Sequence, residues 1–85
     1  MEKNDQLFLQ LMYIFHASAM QGMGKIKNPV TEQVERNLEQ ASQSIDMLEM
    51  IREKTRNNLD ADLNRALDTI ISELKLNYVD EANKS

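Results

Sequence analysis

"IREKTRNNLD", residues 51–60, decides how this chain folds, because one amphipathic run ends inside it and another begins just beyond it. Three basic residues, two adjacent asparagines and an aspartate admit two readings, a compact binding site or the turn of a helical hairpin. Every residue has a role in the turn. Ile51 and Thr55 finish an apolar seam. Arg52, Lys54 and Arg56 fall where the unpaired carbonyls of a helix end favour cations. Asn57 or Asn58 reverses the chain, since asparagine tolerates left-handed backbone better than other residues with a Cβ. Leu59 packs beneath the turn, and the Asp60 carboxylate can accept from an orphaned N–H of the following helix. The stretch therefore reads as a hinge, with Asn57, Asn58, Leu59 and Asp60 as its turn.

On the N-terminal side the periodicity predicts helix 2 over about 32–56, capped by Thr31. Val34, Leu38, Ala41, Ile45 and Leu48 are spaced as a heptad-type seam that drifts to Ile51 and Thr55. Glu32 with Arg36 and Glu49 with Arg52 are spaced as solvated helical ion pairs. On the C-terminal side, Leu63, Leu67, Ile70 and Leu74 carry the matching seam of helix 3, over about 61–78, with Ala66, Ile71, Tyr78 and Val79 widening it. Two such helices joined by a short polar turn pack as an antiparallel hairpin.

Helix 1 is expected over about 5–21, capped by Asn4 or Asp5. Lys3, Gln6, Gln10 and Gln21 form one narrow polar stripe, and apolar residues cover most of the remaining circumference. A helix that is apolar nearly all round must be buried on more than one side. In "GMGKIKNPVT", residues 22–31, Gly22 or Gly24 can take the left-handed position that ends a helix, and Asn28-Pro29 interrupts helical backbone. The expected architecture is all-α: one domain over 1–85 in which helix 1 packs on the hairpin and completes its burial by oligomerisation. Residues 1–4 and 80–85 are expected to fray.

Composition restricts the function. The chain has 85 residues, no cysteine, 41% apolar residues and a formal charge of −4. Disulfides and thiolate metal sites are excluded, and no concentrated positive charge is available for general binding to nucleic acid or anionic lipid. "LFLQLMYIF" followed by "ASA" has the outline of a secretory leader, but the residues before it are acidic on balance where a leader is basic. Gln10, His16, Ser18, Gln21 and Gly22 interrupt it as a membrane span. The expected setting is cytoplasmic.

No motif compels catalysis or a cofactor. The one histidine, His16, lies with Leu9, Met12, Met20 and Met23 on the wheel, which suits a packed residue better than a base. No cysteine nucleophile, nucleophile elbow or second histidine accompanies it. Glu32, Glu35 and Glu39 line one side of the expected helix 2 without the Glu-x-x-His of a di-metal bundle. Met20-x-x-Met23 and Met47-x-x-Met50 have a spacing that can offer thioethers to Cu(I), but methionine is far more often adaptable filler. "GMGKIK" lacks the spacing and the preceding strand of a phosphate loop.

Residues 38–60, "LEQASQSIDMLEMIREKTRNNLD", with the following helix ending in "ELKLNYV", resemble a small bacterial family, domain of unknown function eighteen forty-four. In that family an Ile-Asp-x-Leu element leads to Glu-Lys-Thr, a Gly-Asn-Leu turn and a leucine-rich helix carrying a tyrosine. The corresponding residues are Ile45, Asp46 and Leu48, then Glu53, Lys54 and Thr55, then Asn57, Asn58 and Leu59, and finally Leu74 and Tyr78. "GKIKNP" is similar to the family's Leu-Gly-x-x-x-x-Pro segment, and the resemblance extends over about 7–79. Asn57 departs from the usual glycine, while Asp60 matches the usual cap. The resemblance implies an all-helical fold and a bacterial cytoplasmic setting; it comes with no known activity, and no catalytic or ligand residue carries over from it.

The functional expectation is a non-catalytic protein–protein interaction or assembly module, a homo-oligomer, with Leu9, Met12, His16, Met20 and Met23 at the contact and Leu7, Phe8, Leu11 and Phe15 facing the hairpin. Were His16 at that contact, charging it there would cost desolvation and weaken assembly at acid pH. The alternative is a small RNA- or ribosome-associated factor using Lys25, Lys27, Arg52, Lys54 and Arg56.

Overall fold

A computed structural model of the chain describes residues 2–84, which form three helices, α1 (Lys3–Gly22), α2 (Leu38–Lys54) and α3 (Ala61–Asn83). They run up, down and up around one core. Ala41, Ile45, Leu48 and Ile51 of α2 meet Leu63, Leu67, Ile70, Ile71 and Leu74 of α3, and Met12, Ala19 and Met23 close the third side. The antiparallel register of α2 and α3 is visible in their ion pairs: Glu49 reaches Lys75 at 3.1 Å, and Arg52 reaches Asp68 at 3.3 Å.

The hinge forms as its residues dictate. Thr55 ends α2 and its Oγ1 donates to the Ile51 carbonyl at 2.7 Å. Asn57 stands at φ +66°, the left-handed conformation that the chain reversal requires. The Asp60 carboxylate accepts from Leu63 N–H at 2.9 Å and caps α3, and Leu59 packs against the core.

The other connection departs from expectation. Helix 2 begins at Leu38 rather than at residue 32, and its cap is Asn37, whose side chain accepts from Gln40 N–H at 3.1 Å. Asn28 organises the segment before it: its Oδ1 accepts from Val30 N–H at 2.8 Å, and its carbonyl accepts from Glu32 N–H at 2.8 Å. This local hydrogen bonding, with the proline at 29, competes successfully with helix. Glu32 takes φ +58°, Val34 is exposed, and Arg36 bonds Glu81 instead of Glu32.

The two glycines have different tasks. Gly24, at φ +76°, occupies the left-handed position after α1, where Lys25 N–H donates to the Met20 carbonyl and Gly24 N–H to the Gln21 carbonyl. That pair of bonds satisfies the last carbonyls of the helix. Gly22 remains helical and permits close approach: a Cβ there would lie 2.7 Å from both Ala41 N and Asn37 O. Its own carbonyl accepts from Asn37 N–H at 2.7 Å, and Ser18 Oγ meets Ser44 Oγ at 2.8 Å one turn away.

Helix extends into both expected tails. α1 begins at Lys3, with Asp5 in its first turn, and Met1 and Ser85, which the expected tails include, lie outside the described residues. α3 runs on through Asn83 because Glu81 is anchored. Its carboxylate is held by Lys84 at 2.7 Å, Lys25 at 3.1 Å and Arg36 at 3.6 Å, and Arg36 also donates to the Glu81 carbonyl.

Candidate functional site

The interface expected on α1 is rotated relative to the fold. Met12 and Met23 are buried at 0% and 1% exposure, and Leu9 and Met20 pack partly against the core. These residues face the hairpin. Leu7 and Leu11, expected to face the hairpin, are exposed at 48% and 39%, and Ile14 at 63%; Phe8 and Phe15 do pack on the core as expected. Near its C-terminal end α1 touches α2 through small residues, Ser18 against Ser44 and Gly22 against Ala41 and Asn37.

Leu7, Leu11 and Ile14 stand at i, i+4 and i+7, one stripe along the helix. The Ser18–Ser44 contact sets the register of the antiparallel pair, so one to two turns further on this stripe runs beside Met47 and Met50 of α2. Both methionines are exposed, at 43% and 44%. Large exposed apolar side chains thus stand on both helices, three on α1 and two on α2. Of the two Met-x-x-Met pairs, the first supplies core filling through Met23, and the second is the exposed pair on α2.

His16 is half-buried on the α3 side of α1, away from the stripe. It lines an open groove with Tyr13, Asp62, Arg65, Thr69 and Glu73. The Tyr13 and His16 rings meet edge to face with centroids 6.3 Å apart. Asp62 and Arg65 in that groove already pair with each other at 3.5 Å.

The basic residues do not converge. Lys25 is engaged by Glu81 near the C-terminal end of α3, whereas Arg52 is engaged by Glu49 and by Asp68 in the first half of α3. Helical rise separates these positions by roughly 20 Å. Arg56 pairs with Glu53, and Lys27 and Lys54 make no ion pair among the described residues. Glu32 and Glu35 stand in the loop, so they do not line helix 2 with Glu39.

Among the described residues Glu81 is the one titratable group with a large displacement. The Lys84 hydrogen bond, followed by that of Lys25, holds its pKa down to about 2 against the opposing effect of burial. The cluster is structural in position, tying the α1–α2 connection to the end of α3. Reading the sequence missed it because "DEANKS" has the composition of a solvated tail. No group of three or more His, Cys, Asp or Glu with metal-site geometry occurs among the described residues. No helix there is long and apolar enough to cross a membrane.

A family model described as "Domain of unknown function (DUF1844)" matches residues 6–80. No match was found among curated proteins or among solved structures.

Proposed function

The chain belongs to the DUF1844 family, and on that premise we propose that it is a non-catalytic protein–protein interaction or assembly module of the bacterial cytoplasm, working as a homo-oligomer. The observation that carries this reading is the exposed stripe of Leu7, Leu11 and Ile14, on a helix whose other residues already fill the core, with Met47 and Met50 exposed on the neighbouring α2. A monomer that leaves one contiguous apolar patch of several hundred Å² commonly uses it for contact. The expected contact therefore keeps its helix and changes its residues. Ile14→Glu is the direct test, because Ile14 is the most exposed of the α1 residues in the patch and contributes least to the core. It should abolish association in size exclusion coupled to light scattering while leaving far-ultraviolet circular dichroism intact. Unchanged association would remove this surface from consideration. Leu9→Asp is the contrasting change: Leu9 packs on the core, so it should lower stability.

A further inference from the structure

Resting on the reading just given, we propose that the occupant of this surface is a second copy of the chain, packed antiparallel across a two-fold axis that passes beside Leu11. From Gln6 to Gly22, α1 carries no Asp, Glu, Lys or Arg, although 28% of the whole chain is charged. Two copies can approach along this helix without like-charge repulsion, and a partner recognised by charge would find nothing on α1 to read. Symmetry suits the stripe. A two-fold axis at Leu11 sets Leu11 against itself and Leu7 against Ile14 of the second copy, and it opposes the two helix dipoles.

On α2 the exposed apolar residues on this side are Met47 and Met50, while Asp46 turns the other way and lines a groove with Lys75, Tyr78 and Val79 of α3. In extent, the five apolar side chains offer on the order of 400 Å² per copy, and the polar rim brings this near the ~800 Å² per partner of an ordinary stable interface.

The test uses the full chain, which has no native cysteine to interfere. Leu11→Cys should form an intermolecular disulfide under mild oxidation. Leu7→Cys and Ile14→Cys should each link poorly alone and link to one another when mixed. Self-linking of Leu7→Cys, Leu11→Cys and Ile14→Cys alike would indicate parallel pairing and overturn the proposal. A strict monomer at tens of micromolar would also overturn it, leaving the interaction-module reading to a different protein. A dimer that ignores both Ile14→Glu and the cysteine pattern would overturn the proposal and the surface together.

Discussion

Replacing Gly22 by alanine sets two opposing effects against each other. Within a helix the change gains roughly 1 kcal/mol of propensity, because alanine loses less backbone freedom on folding. Here the new Cβ would stand 2.7 Å from Ala41 N, 2.7 Å from Asn37 O and 3.1 Å from Ala41 Cα. All three are backbone atoms, so no side chain can swing aside. The Asn37 N–H bond to the Gly22 carbonyl also resists separation of the two helices. Overpacking of this kind costs up to about 3 kcal/mol, which leaves a net loss near 2 kcal/mol. For a domain of this size that corresponds to a Tm lower by about 8–16 °C. The assay is urea and thermal unfolding followed by circular dichroism at one fixed protein concentration, since association would otherwise shift the midpoint. Gly24→Ala is the companion: its Cβ would meet nothing closer than 3.6 Å, so only the left-handed backbone at φ +76° opposes it, at about 1–2 kcal/mol. A Gly22→Ala protein as stable as the parent, or more stable, would refute the close-approach argument.

Three further outcomes follow from the geometry. Asn57→Gly should raise stability by about 0.5 kcal/mol, measured as a higher urea midpoint, because glycine carries no penalty at φ +66°. Leu67, fully buried in the centre of α3, should cost about 2–5 kcal/mol when cut to alanine, enough to leave so small a domain largely unfolded on warming. Glu81 has a folded pKa lowered from 4.5 to about 2, so in that range the unfolded chain binds more protons than the folded one. The stability its network confers is present above the ordinary carboxylate range and is lost as pH falls from 4.5 toward 2. Glu81→Gln should flatten that acid limb in unfolding measurements, and an unchanged slope would show that other carboxylates govern it.

How much of this was legible depended on one-sidedness. In α2 and α3 the apolar residues occupy a single face, so spacing alone identified Leu48, Leu63, Leu67 and Leu74 as core. The hinge was legible because each of its residues has a narrow conformational preference. α1 defeated the same reasoning: with leucine, phenylalanine or methionine on most sides, its periodicity contains no phase. What its small residues mark is the point of contact: Ser18 and Gly22 face Ser44 and Ala41, where α1 and α2 touch. The late start of α2 also had a signal in Asn37-Leu38-Glu39-Gln40, a polar cap followed three residues later by glutamine. The apolar run in front of it, Val34 above all, imitated another turn of the seam. The Glu81 cluster had no local signal, because its partners Lys25 and Arg36 come from a distant connection.

The bond between Asn37 N–H and the Gly22 carbonyl has a consequence for how this chain can vary in length. Residues 24–36 leave the bundle and return to it at one point, as in an Ω-loop, with both flanks fastened to α3 through Lys25 and Arg36. Their apex carries Val30 at 88% exposure, with no core contact to lose. Extending a loop whose ends are already pinned costs only about 0.6 kcal/mol per doubling of its length. The junction of Pro29 and Val30 is therefore a place where the chain can lengthen without disturbing helix register, displaying whatever is inserted at the end of the bundle opposite the 55–60 hinge.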